Sequence, residues 1–568
     1  MIDKPFDMLN PILFYIRING AGYLNNMYGV KEKEMQMTKK HSTISRILSI
    51  IMVISMVFAM TACGDKKADS KSEDFGLDRE NSLIYGAEFE DEQVNPMLSD
   101  EHLQCSALLY RGLMKTDKDC KPEKDIATDV KVSDDLLTYD FTIRDDVKFH
   151  DDTDLKVEDV IFTLNTIIDK KVNSPLRPEF ESIKKVEKTG DHSLRITLKE
   201  PFPALLNKLT IGIVPEHAFK DGEKIEEADF NKNPIGCGPY KLVEKKDGSH
   251  MIFEKFDDFY GNKPSIKNVV IKPVPEGSAR ALQLKSGELD MTIIDPSQVK
   301  ETEKEKDLTV FKIPTADYRC LMFNFNATHL FDDVKVRQAL CYDTDREGVV
   351  KSILHGYGEA AYSPLQINPF ATAEVEKYQY NPEKAEALLD EAGWVIPEGK
   401  KIREKDGKKL SFKIVSPVTD EVRTNLANYL ADEWQKIGVD AKVDALDWSA
   451  IDIEKVDTFM LGWGSPFDAD NDTYRLFTTG SGDNYGGYSN EEIDRLLKEA
   501  RLETDPEARK VLYQEFQQKL AEDPSYDFIC YLTALYSANN RVEGICTDKV
   551  LGHHGAGIFW NIEDWKLK

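Results

Sequence analysis

Basic residues are scarce in this 568-residue sequence. Lysine and arginine number 74 against 101 aspartates and glutamates, which gives a formal net charge of −27. A surface this acidic repels phosphate backbones, so we expect no nucleic acid among the partners. The 41% hydrophobic and 10% aromatic residues exclude a wholly disordered chain, and the length predicts several domains with separate cores.

The sequence also lacks the common short motifs of enzymes. It contains no G-x-S-x-G nucleophile elbow, no H-E-x-x-H zinc motif and no phosphate-binding loop. Carboxylates are so numerous that a pair of them is no evidence for glycosidase chemistry. We therefore predict no enzymatic activity, no catalytic residues, no cofactor and no metal site. A secreted hydrolase on an α/β scaffold is the alternative of another class, and a nucleophile elbow would have supported it.

Long apolar runs are limited to one stretch, residues 47–60. A basic flank precedes it and small residues follow, an order that predicts a secretory signal peptide over 37–62. Met60-Thr61-Ala62-Cys63 resembles a bacterial lipobox, with Met in place of the usual Leu. In that interpretation Cys63 begins the mature protein and carries a lipid that anchors it to the extracytoplasmic face of the cell membrane. A plain cleaved signal is the alternative.

Two further segments border the signal peptide. Met35 or Met37 would be a natural start, so we interpret residues 1–36 as an N-terminal extension from an over-extended start site. Residues 63–80 are polar without periodicity and predict a flexible tether. No run of transmembrane length follows the signal, so we expect the rest of the chain to be soluble.

Cysteines are few and scattered. Of the eight, seven remain after Cys63, and no two of them form a C-x-x-C pair. This pattern argues against a disulfide framework and against a zinc ribbon. One or two disulfide bonds and a wholly reduced interior both stay open.

Alternating and helical periodicities predict an α/β chain. Residues 410–415 alternate as a strand, and Asp420 then opens a helical pattern that Gly438 closes. Residues 439–445 alternate again, so the segment predicts a βαβ unit. The pattern from 136 to 198 is instead typical of antiparallel strands.

Several sequence blocks in a fixed order are similar to one protein family. The blocks are YDFTIRDDVKFHD (139–151), KVEDVIFTL (156–164), NPIGCGPY (233–240), LKSGELD (284–290), FDDVKVRQAL (331–340), DR (345–346), YNP (380–382) and GW (393–394). Together they resemble family 5 of the bacterial extracellular solute-binding proteins, the peptide/nickel class of receptor lipoproteins that serve ABC importers. The resemblance covers nearly the whole mature chain.

This resemblance implies a two-lobed α/β fold of the type II periplasmic-binding-protein kind. A hinge would join the lobes, and an antiparallel subdomain would be inserted into the first lobe. Lobe I would span residues 81–316 with the insert at about 97–205, lobe II would span 317–510, and 511–568 would return to lobe I. Ligand would be engulfed when the lobes close.

The resemblance also implies a transport function. The chain would capture oligopeptides outside the membrane and deliver them to the permease and ATPase subunits of an ABC transporter, acting as a monomer. A nickel or metallophore chelate is the alternative ligand. A surface receptor that signals rather than transports is a third hypothesis.

Two extended segments would hold the ligand in such a protein, 86–89 and 462–465. Many peptide-binding members place an Asp three residues after the tryptophan that corresponds to Trp463, where this sequence has Pro466. The segment 463–468 looks closer to the nickel- and metallophore-binding branch. The predicted ligand-binding residues are Glu88, Phe89, Arg319, Trp463, Gly464, Ser465, Phe467, Asp468 and Tyr485.

Some of these assignments have structural alternatives. Arg319 either clamps a carboxylate or lies exposed on a lobe surface. Asp468 either contacts a cationic ligand group or belongs to a solvated turn, and the Asp468, Asp470, Asp472 series departs from a calcium loop. The aromatic residues, with Tyr488 among them, are either cavity lining or core. His553 and His554 either bind a metal or belong to a surface loop, and the surface loop is the expectation.

Overall fold

The computed structural model describes residues 75–99, 103–372 and 374–568. Within these ranges, no helix combines the length and the apolar composition needed to cross a membrane. The seven cysteines in the described part of the chain are all unbonded, which answers for these residues the question that the sequence left open.

Most of the N-terminal predictions cannot be compared with structure. The features outside the described residues are the extension 1–36, the signal peptide 37–62 and the lipid-bearing Cys63. Of the predicted tether, residues 75–80 are described and are packed on lobe I. Phe75 meets the His250 ring edge-on at 4.9 Å, and Arg79 forms an ion pair with Asp290. The tether prediction is therefore wrong from Phe75 onward.

The strands form two main sheets and several short ribbons. In chain order they are β1 Ser82–Ala87, β2 Met114–Thr116, β3 Pro122–Lys124, β4 Ala127–Val132, β5 Thr138–Ile143, β6 Ile183–Gly190, β7 Ser193–Leu198, β8 Tyr240–Lys246, β9 His250–Lys255, β10 Asn268–Pro273, β11 Met291–Ile293, β12 Leu308–Phe323, β13 Gly358–Ala360, β14 Glu404–Lys405, β15 Lys408–Lys409, β16 Ser411–Pro417, β17 Asp440–Leu446, β18 Thr458–Trp463, β19 Tyr526–Asn539, β20 Val542–Glu543 and β21 Lys566–Leu567.

The α-helices flank these sheets. In chain order they are α1 Ser106–Leu109, α2 Val157–Ile168, α3 Arg177–Phe180, α4 Leu205–Lys208, α5 Gly277–Ser286, α6 Val299–Thr302, α7 Val334–Tyr342, α8 Arg346–Ser352, α9 Pro382–Glu391, α10 Glu421–Lys436, α11 Tyr474–Phe477, α12 Glu491–Leu502 and α13 Pro506–Glu522.

The larger sheet runs through both lobes. Its strand order is β17-β16-β18-β12-β19-β11-β1-β10-β9-β8, with β13 added on β19. In lobe II, β16 pairs in parallel with both β17 and β18, and α10 connects β16 to β17. The predicted βαβ unit is therefore confirmed. In lobe I, β1 pairs in parallel with β10 and β11.

Two long antiparallel strands, β12 and β19, form the hinge between the lobes. The first part of β12 pairs with the end of β19 beside β11 in lobe I. The second part of β12 lies between β18 and the start of β19 in lobe II. The register shifts between Pro314 and Tyr318, where the two parts of β12 meet. Such irregularities bend a strand and increase its twist.

The inserted subdomain has its own antiparallel sheet, with the order β4-β5-β7-β6. Along β7 the side chains of Leu194, Ile196 and Leu198 are buried, and their neighbours are more exposed. This alternation packs one face of the sheet against α2, because successive side chains of a strand point to opposite faces. The predicted antiparallel subdomain is confirmed.

Lobe II has a core on each face of its sheet. Leu321 belongs to the core that contains Trp434 of α10, whereas the next residue, Met322, belongs to the core that contains Phe516 of α13. Because Phe516 packs there, α13 is part of lobe II. The return to lobe I therefore occurs along β19 rather than at residue 511.

Side-chain caps fix the starts of the lobe II helices. Asn381, Asp420 and Asp505 accept backbone hydrogen bonds at the starts of α9, α10 and α13, as Asn and Asp commonly do at helix starts. At the start of α12, Asn490 accepts hydrogen bonds from the backbone N–H groups of Glu492 and Ile493.

Candidate functional site

A cavity of about 650 Å³ lies between the two lobes. It opens at the carboxyl ends of β1 in lobe I and β18 in lobe II, the edge where α/β sheets usually bind ligands. Predicted ligand-binding residues that line it are Glu88, Phe89, Arg319, Trp463 and Tyr485. The segments that carry them are far apart in sequence, and the closed lobes bring them together.

Other predicted residues line a neighbouring hollow of about 660 Å³, which also contacts the inserted subdomain. These residues are Gly464, Ser465 and Phe467. His553 lines both hollows, and its backbone N–H donates a 2.8 Å hydrogen bond to the Gly464 carbonyl. The residues after β18 and the loop that carries His553 therefore meet at the boundary of the two hollows.

Asp468 lies away from the ligand cavity. Its carboxylate accepts two hydrogen bonds from the Arg509 guanidinium, at 2.7 and 2.6 Å, and a third from the Asp470 backbone N–H. Both side chains of this pair are buried. The prediction that Asp468 contacts a cationic ligand group is wrong, as is the solvated-turn alternative, because Arg509 already occupies the carboxylate.

Two neighbouring arginines, Arg319 and Arg423, lie in the cavity wall beside Asp317 and Asp420. Arg319, on the hinge strand β12, is 3% exposed and forms an ion pair with Asp317, so the exposed-surface alternative is wrong. Arg423, on α10, places its Nε 3.1 Å from Asp420 Oδ2. Burial, together with the charge of Arg319, lowers the pKa of Arg423 to about 10. Neighbouring buried guanidiniums of this kind favour an anionic ligand group such as a carboxylate.

The prediction of a surface loop for His553 and His554 is wrong. His553 is 5% exposed, and both histidines line the cavity. Asp317 holds the loop, since its carboxylate lies 2.7 Å from His553 Nδ1 and accepts a 3.0 Å hydrogen bond from the His554 backbone N–H. Sequence reasoning missed both residues because Asp317 is remote in the chain. Gly552 and Gly555 on either side were the one local sign of an unusual backbone.

The partners of His553 determine which nitrogen carries its proton. The Asp317 carboxylate can only accept, so Nδ1 donates to it. The Arg423 guanidinium can only donate, so Nε2, at 3.4 Å from Arg423 Nη2, accepts. Burial lowers the pKa of His553 well below its ordinary value and keeps the ring neutral. Both ring nitrogens of His553 are thus used to orient neighbouring side chains.

Glu88 supplies a negative charge at the opposite wall. Its Oε1 lies 3.2 Å from Arg280 Nη2, and its Oε2 lies 3.4 Å from His554 Nδ1. Burial raises the pKa of Glu88, but the hydrogen bond with His554 and the charge of Arg280 outweigh it and lower the pKa to about 2. The cavity lining therefore combines Glu88 and other carboxylates with two histidines and three guanidiniums, those of Arg280, Arg319 and Arg423.

Aromatic rings complete the lining. Trp463 lies under the Arg475 guanidinium at 4.7 Å, and Trp448 lies under Arg423 at 5.6 Å. Both tryptophans and Tyr485 line the cavity. Tyr488 is instead part of a lobe II core, the second of the two alternatives for these aromatic residues. Arginine–aromatic stacking holds long cationic side chains in place around the ligand space.

Comparisons with known proteins agree with this architecture. Residues 121–485 match the family described as bacterial extracellular solute-binding proteins, family 5 Middle. The oligopeptide-binding protein AppA of Bacillus subtilis is 32% identical over 549 residues, which cover 93% of this chain and 99% of AppA.

Solved structures show the same fold. NikZ from Campylobacter jejuni, in complex with Ni(L-His), superimposes with a TM-score of 0.83 at 36% identity and covers 86% of this chain and 99% of its own. AppA from Bacillus subtilis in complex with a nonapeptide gives a TM-score of 0.78 at 31% identity, with coverage of 86% and 99%.

These relatives confirm the predicted fold and family. Both structural neighbours are two-lobed binding proteins, and each was solved with its ligand. The family name places its members outside the cytoplasm and describes binding rather than catalysis. The chain belongs to family 5 of the bacterial extracellular solute-binding proteins and is the substrate-binding protein of an ABC importer.

Proposed function

We propose that this protein binds a transition-metal ion that is chelated by a small carboxylate-bearing molecule, such as nickel held by histidine. The observation that carries the proposal is the presence of Arg319, Arg423 and His554 in one cavity. The guanidiniums are suited to the carboxylate of the chelator. An imidazole is a common ligand for nickel and its neighbours in the periodic table.

Of the two adjacent histidines, we assign His554 to the metal. His553 uses Nδ1 for Asp317 and Nε2 for Arg423. Among the described residues, no group of three or more His, Cys, Asp or Glu side chains is placed to hold a metal ion. The proposed chelator would supply the remaining ligands, as the Ni(L-His) complex of the NikZ relative illustrates.

We propose that Glu88, Phe89, Trp463 and Tyr485 contact this ligand together with the two arginines. Glu88 would accept a hydrogen bond from an amino group of the chelator, since its pKa of about 2 keeps it ionised. The aromatic rings would exclude water from the chelate. Gly464, Ser465 and Phe467 would contact only a ligand that extends into the second hollow.

An oligopeptide is the second candidate ligand. It is supported by the second hollow of about 660 Å³ and by the 32% identity to an oligopeptide-binding protein. The backbone that leaves β18 at Gly464 could pair with an extended peptide as an added strand. Pro466 weakens this candidate, because no carboxylate stands there to receive a peptide amino terminus.

Calorimetric titration of the purified protein separates these candidates. The titrants are nickel with excess L-histidine, nickel alone, L-histidine alone and a nonapeptide. We expect strong binding of nickel with histidine and little heat from either component alone. Binding of the nonapeptide without binding of the chelate would refute the metal proposal and favour the peptide. Absence of binding by every titrant would contradict both.

We also propose that the mature protein is a monomer held on the outer face of the membrane by a lipid on Cys63, and that it releases its ligand unchanged to the permease. The lipobox-like segment 60–63 supports the anchor. The absence from the sequence of a nucleophile elbow or zinc-protease motif supports a purely binding role.

A further inference from the structure

A second set of contacts joins the lobes away from the ligand cavity. Arg501, on α12 of lobe II, donates a 3.0 Å hydrogen bond from Nη2 to the Pro178 carbonyl of the inserted subdomain. Its guanidinium also lies 5.0 Å from the centre of the Phe202 ring of that subdomain. The Arg501 side chain is 13% exposed, so it is nearly buried between the two bodies.

Other residues of lobe II hold the Arg501 side chain in position. The Tyr474 ring lies 4.1 Å from the guanidinium, and Asp470 Oδ1 lies 3.5 Å from Nε. Asp470 is in a short 3₁₀ helix, Ala469–Asp472, which Asp468 caps and Arg509 fixes through its two hydrogen bonds to Asp468. Asp468 and Asp470, two members of the acidic series 468–472, thus help to hold the Arg501 side chain in position.

The facing charges of the two bodies are complementary. In the subdomain, Lys208 Nζ lies 2.7 Å from Glu179 Oε2. Burial raises the pKa of Glu179, but the charges of Lys208 and of Arg475 and Arg501 in lobe II lower it below its usual value. Burial raises the pKa of Asp470, and the charges of Arg501 and Lys208 oppose that rise. Each body therefore stabilises a charge of the other.

We propose that Arg501, Pro178, Phe202 and Asp470 form a latch that holds the lobes closed, with Arg501 as the positioning residue. None of these four residues lines the ligand cavity. Hinge opening would separate Arg501 from Pro178 and Phe202, so the cross-lobe part of the latch exists only in the closed arrangement. The latch therefore acts on ligand affinity without touching the ligand.

The expected effect follows from two-state linkage. When ligand is gripped only by the closed form, its apparent dissociation constant is inversely proportional to the closed fraction. Loss of the latch lowers that fraction and should weaken binding by about tenfold, within the usual range of coupling between sites. The change should lie in the dissociation rate, because ligand enters and leaves through the open cleft and the latch, which also forms without ligand, slows the reopening of the closed form.

The test compares Arg501→Met with Arg495→Met. Both residues are on α12, but the ion-pair partners of Arg495 among the described residues are Glu492 and Glu499 of its own helix. The measurements are the binding kinetics of nickel with excess L-histidine and the radius of gyration of the ligand-free protein by small-angle scattering. Arg501→Met should dissociate about tenfold faster and have a larger ligand-free radius, and Arg495→Met should match the wild type.

Arg501→Lys is a second variant that separates loss of the latch from a folding defect. It keeps the positive charge but loses the stacking of the planar guanidinium on Phe202 and Tyr474. It should give an intermediate dissociation rate and radius. The latch is overturned if Arg501→Met and Arg501→Lys both match the wild type in dissociation rate and in ligand-free radius of gyration. The small-angle scattering measurement does not depend on the metal proposal. It uses the ligand-free protein, so it tests the latch even if nickel with L-histidine does not bind.

Discussion

At the scale of single residues, Glu88 shows how neighbours set a charge. It is buried, yet Arg280 and His554 keep it ionised. Because its pKa is lowered from 4.5 to about 2 in the folded protein, its contribution to stability is complete above pH 4.5 and is lost as the pH falls toward 2. Carboxylates with these partners are a common source of acid lability.

We predict that Glu88→Gln removes this pH-dependent contribution. The free energy of unfolding of the wild type should exceed that of the variant by roughly 3 kcal/mol at neutral pH, and the difference should vanish near pH 2. Urea unfolding of both proteins at a series of pH values measures this difference. The contributions of the other carboxylates cancel when the variant's free energy of unfolding is subtracted from that of the wild type. A difference that stays constant through this window would contradict the assignment.

The second residue-scale prediction concerns His554. Replacement by alanine should weaken the binding of nickel with L-histidine by about 10- to 100-fold, because the proposed metal loses its only protein imidazole. His329→Ala is the matched control, since the His329 side chain is 92% exposed and is not among the residues that line the cavity. Calorimetry measures both. Equal affinities for the two variants would remove His554 from the site.

At the scale of elements, the end of β18 depends on one glycine. Gly464 has φ +154°, and a Cβ there would lie 2.0 Å from the Ala316 carbonyl oxygen of the hinge strand. No side chain fits in this space. The close approach of the two backbones lets Gly464 accept the hydrogen bond from His553, so it links lobe II to the loop that carries both histidines.

We predict that Gly464→Ala lowers the free energy of unfolding by about 3 kcal/mol, through steric overlap and backbone strain. Gly482→Ala is the control, because a Cβ at Gly482 meets no atom within 4 Å. Denaturant midpoints at neutral pH compare the two. A Gly464→Ala variant as stable as Gly482→Ala would show that the close approach is not required.

At the scale of the whole molecule, charge and anchoring oppose each other. The 568-residue sequence has a net charge of −27, which disfavours contact with an anionic membrane surface, and the lipid proposed on Cys63 would hold the protein there against this repulsion. Cleavage and lipidation at Cys63 would attach the protein to the membrane by the N-terminus of its mature chain. The importer would then meet a receptor held close to the membrane.

We predict that Cys63→Ser moves the protein from the membrane fraction to the soluble or secreted fraction, because the variant lacks the thiol that carries the acyl chains. Cell fractionation and labelling with radioactive palmitate measure this. Cys546→Ser is the control, since Cys546 lies in the folded body. Label that persists on the Cys63→Ser variant would refute the anchor.

The sequence by itself determined the local structure and the family. Capping residues such as Asn381 and Asp420 and periodic apolar residues are local signals, since a helix start depends on atoms within one turn. The order of the blocks that resemble family 5 implied the hinge and the two lobes. The prediction of Glu88, Phe89, Arg319, Trp463 and Tyr485 rested on the family resemblance, and the structure places all five in the cavity lining.

Only the tertiary structure decided how the charged side chains are used. Asp468 looked available for a ligand until Arg509, 41 residues away, was seen to occupy it. His553 looked exposed until Asp317, 236 residues away, was seen to bind it. Pairing between distant residues leaves no local periodicity, because it depends on how the sheet and hinge fold the chain back on itself. The partners of these buried charged and polar side chains were therefore decided by the tertiary structure.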